Sequence, residues 1–225
     1  MHYKEIQLGV GTHLVCGDVH GYFTELDSFV KRNNLEDANF YFLGDLFNRG
    51  KENLEVFNFV KSNPKCHAIA GNHELLIADF FAGKVEINRF IRNGGYWFTQ
   101  LDESVKVEIV EFINSLPLAI KLTTPGGKTR GLVHACCGAK TWEELRETLT
   151  TSENPRSTRV AIESVSDRVK FNRGEERVIP DIDWIFVGHN PVERIGCLGN
   201  TMYLDCGLYL GGSIRMVNLL TLKEM

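Results

Sequence analysis

Asp18 and His20 place a carboxylate and an imidazole two residues apart, between Gly17 and Gly21, directly after the apolar run His13-Leu14-Val15-Cys16. That pairing is half of a metal site, since oxygen and imidazole nitrogen together suit divalent transition metals. The construction occurs three times. Gly44-Asp45-Leu46-Phe47-Asn48-Arg49-Gly50 follows Phe40-Tyr41-Phe42-Leu43, and Gly71-Asn72-His73-Glu74 follows Cys66-His67-Ala68-Ile69-Ala70. Two further histidines close apolar runs, His134 after Leu132-Val133 and His189 after Phe186-Val187-Gly188. Two divalent ions about 4 Å apart need a shared carboxylate, oxygen and nitrogen ligands from several loops, and open positions for water and substrate. These residues supply such a set.

The elements that must carry these groups are legible from periodicity. Each block ends a short apolar strand, and the C-terminal ends of strands are where open α/β sheets collect ligands. Glycine at those ends lets the backbone turn without a Cβ in the way. Strands are predicted over 3–8, 12–16 and 39–43, and one starts at 66. Tyr22, Leu26, Phe29 and Val30 share one helical face, which predicts a helix over 22–31. Further helices are expected near 51–62, 75–81, 87–91, 104–115 and 142–149. Strands 118–122 and 129–134 flank a Pro125-Gly126 step, which predicts an antiparallel hairpin closed by a type II turn. A buried strand over 184–187 precedes three short strands near 194–198, 201–205 and 213–219. The polar stretch from 150 to 177 shows no clear pattern. The expected fold class is α/β, with two mixed β-sheets packed as a sandwich and flanked by helices, in a single domain over residues 1–225.

Composition narrows the function. Hydrophobic residues make up 43% of the 225, enough for a core, and the net charge of −4 comes with scattered rather than massed Lys and Arg. That distribution argues against a specific nucleic-acid surface, although a nucleotide remains admissible. No run approaches the roughly 20 apolar residues of a membrane span and the N-terminus lacks a signal-like pattern, so no membrane partner and a cytoplasmic location are expected. Six cysteines without a CxxC pair are expected to be buried, reduced thiols.

The three glycine blocks resemble the GDxHG, GDxxDRG and GNHE blocks of the phosphoprotein phosphatase branch of metallophosphoesterases. With Asn93-Gly94-Gly95-Tyr96-Trp97-Phe98, Leu116-Pro117-Leu118, Val133-His134-Ala135, Val187-Gly188-His189 and Tyr203-Leu204-Asp205-Cys206-Gly207 in the same order, nearly the whole chain is similar to the bacteriophage lambda type of serine/threonine protein phosphatase. The resemblance implies the four-layer metallophosphoesterase sandwich. It implies two divalent ions, manganese first, with iron, zinc or nickel as alternatives. Asp18 and His20 would hold one, Asp45 would bridge, and Asn72, His134 and His189 would hold the other. Hydroxide on the metals would then attack phosphorus in line, without a covalent phosphoenzyme. His73 would protonate the leaving oxygen and Arg49 would bind phosphate.

Departures from the family pattern bear on the substrate. Asn48 stands where the family has an acid that holds the catalytic imidazole, and is expected to accept the imidazole N–H without stabilising its charge. Ala70 replaces the usual Arg before GNHE, and a further phosphate-binding Arg has no clean match. Arg168 is the first candidate for it and Arg173 the second. The implied substrate is a phosphoserine or phosphothreonine protein or peptide, with phosphotyrosine admissible. The alternative is a nucleoside polyphosphate such as diadenosine tetraphosphate, because related diadenosine tetraphosphate hydrolases also lack that acid and that Arg. A catalytically silent binding module is a third reading, disfavoured because all six ligands are retained. The Tyr96-Trp97-Phe98 cluster reads as core before cleft wall, and Asp205 as a loop support. Oligomeric state is left open.

Overall fold

The structure, a computed structural model, describes residues 2–225. In chain order it runs β1 (Tyr3–Gln7), β2 (His13–Cys16), α1 (Phe23–Arg32), β3 (Asn39–Phe42), α2 (Asn53–Ser62), β4 (Cys66–Ala68), α3 (Asn72–Phe81), α4 (Ile87–Arg92), α5 (Tyr96–Thr99), α6 (Glu103–Ser115), β5 (Ala119–Thr123), β6 (Thr129–Val133), α7 (Trp142–Thr151), α8 (Arg159–Ser166), α9 (Val169–Asn172), β7 (Trp184–Val187), β8 (Gly196–Leu198), β9 (Thr201–Tyr203) and β10 (Met216–Asn218). Short 3-10 turns occupy Pro155–Ser157 and Leu208–Leu210.

The strands form two mixed sheets, one ordered β1-β5-β6-β7-β9-β8 and the other β10-β2-β3-β4. Within the second, β2, β3 and β4 are parallel and β10 closes one side antiparallel to β2. Alternation along each strand decides which layer a side chain joins. Leu14, Cys16, Phe40 and Phe42 pack with Leu26, Phe29, Val56 and Phe57 of α1 and α2. Val15, Tyr41 and Leu43 instead meet Ile120, Leu122, Leu132, Phe186 and Met202 of the other sheet. Both faces of β2 and β3 are therefore covered, which is why these strands read as unbroken apolar runs. Among the described residues, no helix is long and apolar enough to cross a membrane.

Three local expectations change. The hairpin between β5 and β6 is closed by a bond from Gly127 N to Thr124 O of 2.9 Å, and Gly127, not Gly126, takes the positive φ of 76°. A type II turn needs positive φ at Gly126, so the loop is instead a tight turn followed by a left-handed glycine. The helix expected over 75–81 starts at Asn72, because Glu74 accepts the Gly71 amide at 2.8 Å and so satisfies an N-terminal donor that apolar periodicity cannot register. The stretch from 150 to 177 contains α8, capped by Thr158, whose hydroxyl accepts the Ala161 amide. All six cysteines are free, as expected, but three are not buried: Cys66 and Cys206 are half-buried and Cys197 is exposed.

Candidate active site

The loops after β2, β3, β4, β6 and β7 converge, and the backbone shows how tightly they are built. The Val19 and His20 amides donate to Asp45 O at 3.1 and 2.9 Å, and Gly50 N donates to His20 O at 2.8 Å. His20, Asp45, Asn48, Arg49 and His189 all take positive φ, between 49° and 72°. Non-glycine residues persist there only where the surroundings over-determine them, and such positions gather at functional sites. Glycine is required at two close approaches. A Cβ on Gly71 would run into the Asp45 carboxylate, and one on Gly188 into that of Asp18.

Side chains of the six expected ligands meet there. His20 Nε2 lies 3.8 Å from Asp18 Oδ2 and 3.7 Å from Asp45 Oδ2. His134 Nε2 lies 3.4 Å from Asp45 Oδ1 and 3.1 Å from Asn72 Oδ1. Two groups of potential donors, one of His20, Asp45 and His73 and the other of Asp45, His134 and His189, share Asp45, which is the arrangement a bridging carboxylate would have. Outer contacts fix the rings: His20 Nδ1 pairs with Phe47 O at 3.0 Å and His134 Nδ1 with Leu43 O at 2.7 Å. A carbonyl can only accept, so both rings carry a proton on Nδ1 and turn Nε2 inward, the nitrogen that rings so oriented would offer to a metal.

The electrostatics fit bound cations. Burial, and then Asp205 and Asp45, push the Asp18 carboxyl well above the usual range. Burial depresses His20 to about 4. Burial also works against the charge on His134, but Asp45 overrides it and lifts that imidazole to about 10. Three buried carboxylates facing one another are costly unless positive charge sits between them. Both ring nitrogens of His189 are buried without a hydrogen-bond partner. A pair of divalent ions would use those nitrogens and offset that repulsion, so the residues present fit the group.

Glu74, whose role the sequence did not disclose, holds the Asp45 loop. It is fully buried, and its carboxylate accepts the amides of Gly71, Asp45, Leu46 and Phe47 at 2.8, 2.7, 2.9 and 3.4 Å. Beside the ligands opens a cavity of about 310 Å³ lined by Arg49, Arg89, Arg168, Asn72, His73 and His189, among others. Of the two arginine candidates, Arg168 lines this cavity. Arg173 does not, since it is exposed and faces Glu175 at 3.8 Å. Arg89, on α4, gave no sequence signal, because nothing marks it out from Arg92 on the same short helix. Tyr209, also unanticipated, has its ring 5.0 Å from both the Arg49 guanidinium and the His20 ring. A larger hollow of about 540 Å³, lined by Pro191, Glu193, Leu210 and Arg215 among others, includes none of the six ligand candidates.

Asn48 departs from expectation. Its Oδ1 accepts Trp97 Nε1–H at 2.9 Å, and its Nδ2 faces His73 Nδ1 at 2.9 Å. The amide therefore donates to the imidazole rather than accepting from it. Trp97 is also more than core, because it reaches this buried amide. Asp205 supports its loop as expected, with Oδ1 accepting the Gly207 amide at 2.9 Å.

Comparison with known proteins agrees with this geometry. The family model for calcineurin-like phosphoesterases matches residues 12–205. The chain is 26% identical to serine/threonine-protein phosphatase 2 of Salmonella typhimurium, over 94% of this chain and 95% of that protein. It is 25% identical to the asymmetrical bis(5'-nucleosyl)-tetraphosphatase PrpE of Geobacillus thermodenitrificans, over 89% of this chain and 87% of that one. A crystal structure assigned provisionally as a diadenosine tetraphosphatase superposes with a TM-score of 0.72 at 13% identity, covering 100% of this chain and 96% of the other.

Proposed function

This chain belongs to the calcineurin-like phosphoesterase family, and as a metal-dependent phosphatase of that family we propose that it hydrolyses a nucleoside polyphosphate. The observation that carries the choice of substrate is the cleft: Arg49, Arg89 and Arg168 surround one cavity beside His73. One phosphoryl group is served by two guanidiniums, and a third at the rim suits a second phosphate. The reading treats residues 1–225 as one catalytic domain. Asp18, His20, Asp45, Asn72, His134 and His189 would hold two divalent ions, which when bound supply an activated water and neutralise charge on the phosphoryl oxygens. Manganese is the ion we favour. Arg49 and Arg168 grip non-bridging oxygens and set the phosphorus for in-line displacement. His73 turns Nε2 toward the site, 3.9 Å from Asp45 Oδ2, where it can meet the leaving oxygen.

A phosphoprotein substrate is the second reading, supported by the similarity over nearly the full chain to a protein named as a serine/threonine phosphatase. Steady-state assays with manganese, comparing diadenosine tetraphosphate with phosphoserine, phosphothreonine and phosphotyrosine peptides, separate the two. The tetraphosphate is expected to have the higher kcat/KM, and Arg89→Ala to raise its KM much more than that of p-nitrophenyl phosphate. A phosphopeptide preference that Arg89→Ala leaves intact would overturn the polyphosphate reading.

A further inference from the structure

We propose that Trp97 is a positioning residue that locks His73 in the tautomer protonated on Nε2, and thereby restricts the enzyme to phosphate esters and anhydrides whose leaving groups are stable as anions. The inference rests on the phosphohydrolase reading above and goes further by assigning a cause for substrate choice. Indole N–H can only donate, so the Asn48 atom 2.9 Å from Trp97 Nε1 must be the amide oxygen. The amide nitrogen then faces His73 Nδ1 at 2.9 Å as a donor, and Nδ1 must present a lone pair. Asn48 is fully buried, and its backbone amide is tied to Asn53 Oδ1 at 2.7 Å. Flipping the amide would set its N–H group against the indole N–H in a buried position.

The fold builds this contact deliberately. Asn48 and Arg49 sit in left-handed backbone at φ 72° and 71°, a conformation that asparagine tolerates well. Gly94, at φ 84°, lies so close beneath that a Cβ would strike the Arg49 amide. Its bare backbone lets α5 approach the loop, and the Trp97 ring then packs on Phe47 with centroids 6.0 Å apart.

The chemical consequence concerns the P–O bond that breaks. The leaving oxygen keeps the bonding electron pair, water oxygen forms the new bond to phosphorus and gives up a proton to solvent, and His73 Nε2–H hydrogen-bonds the departing oxygen. With Nδ1 accepting from the Asn48 amide, a ring that surrendered the Nε2 proton would be left without any N–H, so Nε2 serves as a hydrogen-bond donor rather than as a source of the proton. Phosphoanhydride and aryl leaving groups depart as anions without it, whereas a serine or threonine alkoxide needs it.

The experiment has two arms on magnesium-loaded protein. Nitrogen-15 NMR of the His73 ring should show an unprotonated Nδ1 and a protonated Nε2 in wild type, and a shift toward the other tautomer in Trp97→Phe. The ratio of turnover on p-nitrophenyl phosphate to turnover on a phosphoserine peptide should fall by about tenfold or more in Trp97→Phe, and also in Asn48→Asp, which restores an acceptor while keeping the indole bond. A protonated Nδ1 in wild type, or a ratio unchanged in both variants, overturns the proposal. Wild-type protein that binds metal yet hydrolyses neither substrate would instead defeat the phosphohydrolase reading, and the NMR arm would still decide the lock.

Discussion

Asp45 meets His20, His73 and His134 with its carboxylate, at 3.7, 3.9 and 3.4 Å, and also accepts the His73 amide at 2.9 Å. Asp45→Asn should therefore abolish turnover and lower metal affinity by more than about 100-fold, the upper end of what losing even an outer-shell partner does. Asp205→Asn keeps an oxygen for the Gly207 amide and should retain metal near the wild-type stoichiometry. Metal analysis after gel filtration compares them, and normal metal content in Asp45→Asn would sink the two-ion assignment. Arg49 stacks on Tyr209 and lines the cleft without touching the ligand set. Arg49→Ala should weaken inhibition by inorganic phosphate about 10- to 100-fold, the worth of a charge-assisted contact, with metal content unchanged. Equal phosphate inhibition in mutant and wild type would make Arg49 merely structural.

At the scale of elements, the corner between α8 and α9 delivers Arg168. Lys170 clamps it, with Nζ 2.9 Å from Glu163 and 3.0 Å from Asp167. Burial opposes charge on Asp167, yet hydrogen bonds from Lys170 hold its carboxyl below the usual range. A carboxyl depressed by folding stabilises the fold above its unfolded value, and that contribution is lost as pH falls through the folded value. Wild type should accordingly be more stable than Lys170→Met at pH 7, and the gap should close below about pH 4. Thermal melts at both pH values check this. The same variant should raise KM while metal content stays constant, because the loosened corner carries Arg168. Identical KM would mean that Arg168 is held from elsewhere.

For the whole molecule, ions held as proposed would tie its two halves, since Asp18, His20, Asp45 and Asn72 precede β5 whereas His134 and His189 follow it. Metal removal with EDTA should lower Tm reversibly, and manganese at 100 times its Kd should restore about 2.7 kcal/mol, or roughly 5–10 °C for a chain of this size. Asp45→Asn should show little manganese dependence, and a wild-type Tm indifferent to manganese would contradict the site. How the chain divides between what was legible and what was not has a physical basis. Periodicity and glycine punctuation determined the strands, most helices and the glycine blocks that end β2, β3 and β4, because burial on one or both faces imposes a pattern on neighbouring residues. The order of strands in each sheet, the Glu74 clasp on the Asp45 loop, the presence of Arg89 and Tyr209 in the cleft and the reversed amide of Asn48 were decided by tertiary structure alone. Each depends on contacts between residues far apart in the chain, such as Asn48 and Trp97, 49 positions apart. Hydrogen-bond polarity between such partners is set by which donor arrives, and no local pattern in the sequence encodes that arrival.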